Sequence, residues 1–457
     1  MSSVEADYLV VGAGAAGMAF TDALTANADV TVAVVDRRHD VGGHWLDAYS
    51  FVRLHQASVF YGVASTPMGA GEIQTRGPEV GLHKRATAPE ICAYYADVRD
   101  RLHATGRVTF YPNCDYLGDR QFVSRLSGKR HTVPATCRIV NAHYLSPQIP
   151  ANTRAPFDVA EGTSLVTVND LVKIGGAPSQ YVIVGAGKTS TDACIWLLGN
   201  GVDPDAICWV RPRDPWMLNR ATVQPDPAVI FGMAADTVEA ASAASSADDL
   251  FLRLEEAGVM LRVDRSVTPT MAKTPTLAQW ELDHLRSIEN VVRLGHIRHA
   301  EPGKLTLDKG EATIVRDAVI VHCAASGLQQ RPLVPIWQDD AITLQPIRTG
   351  FPCFGAALAG YVEATREDDA EKNRLCPPSP FSNTPTDWAL MQVLGYRAAT
   401  SFSAAPDIKA WADGVALNPS RMPPNTPATP DLTAALDRYR AQVVPGMARL
   451  AELAGLT

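Results

Sequence analysis

The chain has 457 residues, of which 46% are hydrophobic and 20% charged, as in ordinary globular proteins of roughly two to three domains. Its net charge of −8 gives no reason to expect nucleic acid as a partner. No apolar run approaches the ~20 residues of a membrane helix, and the first residues do not read as a secretory signal. We therefore expect a cytoplasmic protein that binds neither nucleic acid nor membrane.

The eight cysteines are spread along the chain and never stand at close spacing. Neither a disulfide framework nor a zinc site is therefore expected, and we predict no metal. A flavin disulfide reductase is disfavoured on the same ground, because such an enzyme needs a close redox-active cysteine pair. We interpret the cysteines as small hydrophobic residues.

Residues 7–36 predict a βαβ unit with a glycine-rich turn. A buried strand, a helix and a second strand are predicted over residues 7–11, 15–26 and 30–35. Gly12, Gly14 and Gly17 complete G-x-G-x-x-G between the first strand and the helix. These glycines permit the tight turn, the approach of a pyrophosphate and close helix packing. Asp36 ends the second strand, where an acid binds a ribose hydroxyl, so this turn predicts a dinucleotide site.

The chain then leaves the first unit and begins a second one. A strand starts near residue 139, and residues 151–175 are predicted to be a crossing linker. The next strand, helix and strand are predicted over residues 181–184, 188–198 and 206–210. Gly185 and Gly187 keep the first two glycines of the motif, and Ser190 stands at the third position. A small residue there still permits close packing, so a second dinucleotide site is predicted.

The flanks of the second turn favour a phosphorylated nicotinamide nucleotide. Lys188 and Thr189 open the helix, where Lys188 can meet a phosphate. A P-loop is disfavoured because Val182 stands where its first glycine belongs. The following strand ends in Arg211 and Arg213 rather than in an acid. Since arginine at that position favours a 2′-phosphate, we predict NADPH at this site.

The rest of the chain is predicted to add helices and one further buried strand. Residues 234–249 are rich in alanine and serine and acidic, which predicts a solvated surface helix or else a mobile lid. Residues 317–323 predict a buried strand, and residues 342–364 carry three glycines among apolar residues. A helix, a proline-rich extended arm and a last amphipathic helix are predicted over residues 386–402, 418–430 and 432–453.

Gly42-Gly43-His44-Trp45 follows the acid that ends the second strand. This combination resembles the flavin-containing monooxygenases and related flavoproteins with two dinucleotide sites, among which the chain is an atypical member. In those families a second Gly-Gly, with an aromatic residue two positions on, lies beside the flavin ring. The resemblance implies FAD at the first turn, with further cofactor contacts from Asp36, Arg37, Gly43, His44 and Trp45.

The resemblance also implies candidate catalytic residues. Arg53, His55 and Gln56 fall near the flavin ring as donors toward the ring or the peroxide. Residues 216–220 are loosely similar to an aromatic-to-Asn-Glu stretch of the N-hydroxylating monooxygenases, which lies near nicotinamide and substrate. Asn219 is therefore predicted to contact one of these, with an arginine standing where that group has its acid.

The implied fold class is α/β, with two Rossmann-like, doubly wound nucleotide-binding domains. The NADPH-binding domain is inserted in the FAD-binding domain. The FAD-binding domain is expected to take residues 1–160 and 321–457, and the NADPH-binding domain residues 161–320. An insertion near residues 219–290, together with residues 366–385, is expected to shape the substrate pocket.

The function implied by the resemblance is an FAD-dependent, NADPH-consuming monooxygenase. A flavin C4a-hydroperoxide would pass one oxygen atom of O₂ to nitrogen or sulfur of a small organic molecule, or attack a ketone in a Baeyer–Villiger reaction. The fingerprint F-x-G-x-x-x-H-x-x-x-[YFW] is absent from residues 157–170. Two alternatives therefore stay open: a reductase or dehydrogenase that uses FAD and NADPH without inserting oxygen, and a redox-sensing or binding flavoprotein. The oligomeric state is also open, with a homodimer among the options.

Overall fold

The computed structural model describes residues 2–327 and 330–456. The helices are α1 (Ala15–Asn27), α2 (Ala88–Ala104), α3 (Lys188–Gly199), α4 (Pro227–Ala243), α5 (Ala247–Glu256), α6 (Gln279–Arg286), α7 (Pro352–Thr365), α8 (Asp369–Leu375), α9 (Pro385–Ser403), α10 (Pro406–Gly414) and α11 (Pro430–Leu453). The strands are β1 (Ser2–Ser3), β2 (Tyr8–Val11), β3 (Val32–Val35), β4 (Val108–Tyr111), β5 (Cys114–Gly118), β6 (Gln121–Ser124), β7 (Arg130–Thr132), β8 (Arg138–Asn141), β9 (Asp158–Val159), β10 (Ser164–Thr167), β11 (Tyr181–Val184), β12 (Ile207–Val210), β13 (Trp216–Asn219), β14 (Met260–Arg262), β15 (Thr276–Leu277), β16 (Val291–Val292), β17 (Ile297–Glu301), β18 (Lys304–Leu307), β19 (Gly310–Thr313), β20 (Val319–His322) and β21 (Ala341–Thr343).

The first large sheet has the strand order β21-β8-β2-β3-β4, and all its strands run parallel. Its central strands are continuous apolar runs, since a parallel sheet is covered by helices on both faces. The chain winds outward from β2 in one direction through β3 and β4, and in the other through β8 and β21. The strand order therefore switches between β2 and β8. Gly12 follows β2 at this point, where ligands bind in such sheets.

The second large sheet repeats this plan, with the parallel order β10-β20-β11-β12-β16. The strand order switches between β11 and β20, and Gly185 follows β11 there. The α/β fold with two doubly wound parallel sheets is therefore confirmed. The prediction of a linker over residues 151–175 is wrong in its second half, because residues 164–167 pair with β20 as an edge strand.

The alanine- and serine-rich segment at residues 234–249 is neither a solvated helix nor a separate lid. It forms most of α4 and the start of α5, and Ala235, Val238 and Ala241 are buried. The small residues serve close packing against α11, since a Cβ added at Gly446 would lie 2.5 Å from the Val238 carbonyl oxygen. The small residues of α4 therefore allow the C-terminal helix α11 to pack closely against α4.

The helices predicted over residues 386–402 and 432–453 are confirmed as α9 and α11. The buried strand predicted over 317–323 is confirmed as β20. Within the described residues, none of the helices has both the length and the apolar character that a membrane crossing requires.

Helix α7 packs on α1 through a glycine, and this contact offers a test of the fold. A Cβ on Gly360 would lie 2.5 Å from the Phe20 carbonyl oxygen, so Gly360→Ala is expected to cost about 1–3 kcal/mol by overpacking. Gly232, inside α4, has open space around its Cβ position. Gly232→Ala should stabilise by up to about 1 kcal/mol. Denaturant unfolding of both variants measures this, and equal shifts of the same sign would contradict the packing.

Candidate functional site

One cavity of about 1300 Å³ connects the two glycine turns. Its walls include Gly12 and Gly14 from the first turn and Gly185 and Gly187 from the second. Both turns leave the carboxyl ends of their parallel sheets, which is the position of nucleotide sites in such folds. Groups bound at the two turns would therefore share one enclosed space.

The first turn has the backbone geometry that a diphosphate requires. Gly12 has φ +112°, and a Cβ on Gly17 would lie 1.9 Å from the Gly12 carbonyl oxygen. A Cβ on Gly43 would lie 2.9 Å from the Gly14 Cα, so a second glycine loop presses on the first. Helix α1 begins after Gly14 without a side-chain cap, and its first N–H groups are free to meet an anion. The turn therefore fits a dinucleotide.

Asp36 lies at the cavity wall and also fastens the turn. Its two carboxylate oxygens accept hydrogen bonds from the Ala13 and Arg38 backbone N–H groups at 2.7 and 2.8 Å. Each oxygen keeps a further acceptor position, which suits a ribose hydroxyl. Arg37 lines the same end of the cavity. The predicted residues Asp36 and Arg37 are thus brought together with the first glycine turn.

His44 and Trp45 also line the cavity, next to Gly43. The Trp45 indole N–H donates to the Tyr61 hydroxyl at 2.7 Å, which fixes the ring. The His44 ring lies 5.0 Å from the Trp45 ring. Burial, followed by the nearby Arg38 guanidinium, lowers the pKa of His44 to about 4. His44 is therefore neutral near pH 7 and presents an uncharged ring to the cavity.

The second turn has similar geometry with one substitution. Gly185 has φ +127° and lies against β20, where a Cβ would be 3.4 Å from the Ala324 backbone nitrogen. Ser190 is fully buried, and its hydroxyl donates to the Gly187 carbonyl oxygen at 2.7 Å. The serine thus satisfies its own polar group while it occupies the third glycine position. Thr189 lines the cavity at the start of α3.

The structure does not bring Arg211 to the cavity. Its side chain is 2% exposed, lies 3.3 Å from Asp214 and stacks on the Trp209 ring with its guanidinium carbon 4.6 Å from the centroid. Lys188 does line the cavity, but its ammonium group pairs with Asp192 and lies 3.6 Å from Glu281. Both cations form ion pairs with carboxylates of the protein and are therefore not free to bind a phosphate.

Arg213 and Lys273 supply positive charge at the second turn instead. Both line the cavity, and Arg213 also donates to the Asn383 side-chain oxygen at 2.8 Å. The Lys273 ammonium donates to the Ser326 carbonyl oxygen at 2.7 Å. Burial, followed by Arg213, lowers the pKa of Lys273. The sequence predicts Arg213 but not Lys273, because no spacing relates that lysine to the glycine turn.

Only two of the four predicted catalytic residues line the cavity, namely His55 and Gln56. Arg53 is exposed, and its guanidinium lies 3.5 Å from the Arg85 carbonyl oxygen. The Asn219 amide accepts from the Ala221 N–H at 3.1 Å and donates to the Gly258 carbonyl oxygen at 2.8 Å. Asn219 therefore caps a local turn and does not line the cavity.

A buried network of alternating charges lies behind His55. We call it the ion network, and its members are Arg85, Glu79, Arg220, Glu281, Lys188 and Asp192. Arg220 is at its centre, with Glu79 at 2.5 Å and Glu281 at 2.6 Å. The three cations and three anions balance, which offsets the cost of burying them.

The ion network determines the state of His55. The Arg220 guanidinium donates to the His55 carbonyl oxygen at 3.2 Å, which holds the backbone at the cavity wall. Burial, followed by Lys188, Arg220 and Arg85, lowers the pKa of His55 to about 3. The imidazole is therefore neutral near pH 7. Sequence reasoning missed this arrangement because the partners of Arg220 lie 141 and 61 positions away.

The role of Glu281 in the ion network can be tested by measuring how the stability of the protein depends on pH. Burial alone would raise the pKa of Glu281, but Lys188, Arg220 and Arg85 outweigh it and lower the pKa to about 2. A carboxylate with a depressed folded pKa stabilises the protein above its unfolded pKa, and this stabilisation is lost as the pH falls toward the folded pKa. Glu281→Gln should therefore cost about 3 kcal/mol or more near neutral pH, because it leaves the buried ion network with one uncompensated positive charge.

The expected signature is a difference in Tm between wild type and Glu281→Gln that narrows as the pH falls from about 5 to about 2. Glu256→Gln is the matched control, since Glu256 is exposed and makes no ion pair in the described part of the chain. Its melting curve should parallel that of wild type at every pH. A gap for Glu281→Gln that stays constant would contradict the role of this carboxylate.

Comparisons with known proteins agree with this architecture. A family model described as an NAD(P)-binding Rossmann-like domain matches residues 10–64. "Uncharacterized protein Rv2000" of Mycobacterium tuberculosis is 43% identical over 423 residues, covering 91% of this chain and 78% of the relative. "Uncharacterized protein Mb2023" of Mycobacterium bovis matches to the same extent.

Among solved structures, caprolactone-bound cyclohexanone monooxygenase is similar with a TM-score of 0.52 and 13% identity, covering 89% of this chain and 98% of that one. A Staphylococcus aureus bacillithiol disulfide reductase matches with a TM-score of 0.48 and 10% identity, covering 80% of this chain and 98% of that one. The chain therefore belongs to the same family as the two mycobacterial proteins, and it has the fold of the two-domain flavoprotein monooxygenases.

Proposed function

We propose that this protein is an FAD-dependent monooxygenase that consumes NADPH and transfers one oxygen atom of O₂ to nitrogen, sulfur or a ketone of a small organic molecule. The observation that carries the proposal is the shared cavity. Two turns built for dinucleotides open into it, and its walls continue past both turns between α4, α9 and α11. There Phe231, Trp388 and Met391 offer an apolar surface for a third molecule.

FAD is assigned to the first turn. Gly12 and Gly14 would hold its diphosphate and Asp36 its ribose, while Gly17 lets helix α1 pack close to the turn. Gly43 lets the second glycine loop come close to Gly14, and both glycines line the cavity where FAD is proposed to bind. Bound there, FAD would supply the acceptance of hydride and the activation of O₂.

NADPH is assigned to the second turn, with Arg213 and Lys273 as the groups that would meet its 2′-phosphate. An arginine fork suits a phosphate and disfavours the unphosphorylated nucleotide. Arg211 supports this site indirectly, because its pairing with Asp214 orders the segment that carries Arg213. We keep residues 161–320 as the NADPH-binding domain and residues 1–160 with 321–457 as the FAD-binding domain.

The chain's own residues position the reactants and keep water away. Neutral His55 and the Gln56 amide lie on the cavity wall as hydrogen-bonding groups. Because His55 is a neutral imidazole at neutral pH, it keeps one ring N–H as a hydrogen-bond donor and acts by orientation rather than as an imidazolium general acid. The ion network holds that wall rigid, and the walls beyond the two turns separate the reaction from bulk water. Arg53 and Asn219 support the neighbouring backbone.

The two cofactor assignments predict that a substitution in one glycine turn weakens the binding of one cofactor and leaves the other bound. Gly14 and Gly187 both have negative φ, and a Cβ at either meets no atom closer than 3.5 Å. The Cβ of a valine is therefore accommodated at either position, and its methyl groups are expected to fill the path of a diphosphate. Gly14→Val should lower bound FAD per chain at least about tenfold, and Gly187→Val should raise the Kd of NADPH at least about tenfold while FAD stays bound.

Flavin absorbance per chain and titration of NADPH into the FAD-loaded protein measure the two effects. Each variant is the control for the other, since both place the same side chain in the same motif. Loss of FAD in Gly187→Val, or retention of FAD in Gly14→Val, would contradict the assignment of the turns.

Oxygen transfer itself is tested with ¹⁸O₂. FAD-loaded protein is supplied with NADPH and a panel that contains a tertiary amine, a thioether and a cyclic ketone. The expected result is one product that carries a single ¹⁸O atom, with stoichiometric consumption of NADPH. An unlabelled, reduced or dehydrogenated product would favour the reductase, and absence of any NADPH oxidation would favour a sensing or binding role.

A further inference from the structure

Arg348 is a half-buried cation that no acidic group among the described residues compensates. It follows β21 on the way to α7 and lines the cavity. Its Nε is buried without a hydrogen-bond partner, and its guanidinium makes no ion pair within residues 2–327 and 330–456. Every member of the ion network, in contrast, has an oppositely charged partner.

Retaining such a charge is costly, because an unpaired ion loses its hydration on burial. Burial accordingly lowers the pKa of Arg348 from its ordinary 12.5 to about 10, with a small opposing effect of Tyr439. The guanidinium still carries its proton at neutral pH. A positive charge kept half-buried in a cavity wall without a counter-charge suits a negatively charged ligand that completes it.

The groups around Arg348 are hydrogen-bond donors and apolar side chains. Tyr396 of α9 and Tyr439 of α11 line the same cavity, and neither hydroxyl makes a hydrogen bond within the described residues. Burial and then Tyr396 raise the pKa of Tyr439, which Arg348 opposes, so the three groups are close in space. Phe231 of α4 meets Tyr439 edge to face at 6.3 Å.

The charges along the cavity wall are divided. Among the described lining residues, the acids are Asp36, Asp47 and Asp115, all at the end assigned to FAD. From Gly185 to Met447 the lining contains no aspartate or glutamate. An anion beside Arg348 would therefore meet donors and apolar surface without a repelling carboxylate.

We propose that Arg348 binds the carboxylate of an amphipathic organic acid, whose apolar body lies among the side chains of α4, α9 and α11. The planar guanidinium matches a carboxylate with two parallel hydrogen bonds. The Tyr396 and Tyr439 hydroxyls are available as further donors. This inference rests on the proposed function, since it names the substrate class of the same cavity.

The test compares two probes of equal length, decanoate and decanamide, by calorimetric titration into the FAD-loaded protein. Wild type is expected to prefer decanoate. Arg348→Met should weaken decanoate about 10- to 100-fold, the effect of losing hydrogen bonds to a charged group, and leave decanamide within about threefold. Arg348→Lys should keep part of the preference. Arg316→Met is the matched control at an exposed arginine and should change neither affinity.

A stability measurement separates ligand recognition from a structural role. Arg348→Met removes a half-buried, unpaired charge, so its Tm should equal or exceed that of wild type. A marked fall in Tm would show that Arg348 has a structural role and would overturn the inference.

The outcomes also separate this inference from the proposed function. If FAD-loaded wild type does not distinguish the two probes, or binds neither, the inference is wrong while the cofactor assignment stands. If Arg348→Met loses FAD or NADPH in place of decanoate, Arg348 belongs to a cofactor site and the inference is again overturned. If wild type does not bind FAD at all, the proposed function fails.

Discussion

The contact on which the cavity depends is the pairing of buried Arg220 with Glu79 and Glu281. Glu79 lies on the segment between the first glycine turn and α2, and Glu281 lies in α6 beside the second nucleotide unit. Through Lys188 and Asp192 the ion network continues into α3, directly after the second glycine turn. Asp192 also accepts a hydrogen bond from the hydroxyl of Tyr49. Tyr49 belongs to the segment that follows the first glycine turn, so this contact links the two nucleotide units. Removing any one member leaves the buried network with one uncompensated charge, so the arrangement holds as a whole.

This constraint explains why several basic residues near the turns do not face a ligand. The motif predicts a phosphate contact for Lys188. In α3, however, the Lys188 side chain forms an ion pair with Asp192, which lies one helical turn further along the chain. Arg211 likewise pairs with Asp214, which is also held by Arg293 at 2.9 Å. These cations fix the frame around the cavity. The groups left to meet a ligand are backbone N–H groups of the turns, Arg37 at the first turn, and the side chains of Arg213, Lys273 and Arg348.

The predictable part of the fold follows from contacts that are short in sequence. Gly17 is required by the carbonyl of Gly12 five residues earlier, so the motif can be recognised from spacing alone. The strands and helices of both βαβ units follow from apolar runs in the same way. The roles of Arg220, Lys273 and Arg348 depend on groups that only the tertiary fold brings near. The alanine-rich segment at α4 resembles a solvated helix in sequence. Its small side chains are apolar enough to pack in the core, but they do not form a strong amphipathic pattern.

The division of charge along the cavity suits the two proposed nucleotides differently. At the first turn the diphosphate would be met by backbone N–H groups and the helix α1 N-terminus, since Arg38 is engaged by Asp47 at 2.7 Å. At the second turn and beyond it, side-chain cations stand without lining acids. A resident cofactor suits the first end, where binding rests on close backbone fit. Anions that must enter and leave suit the second end, where exposed positive charge attracts them over a distance and speeds their association.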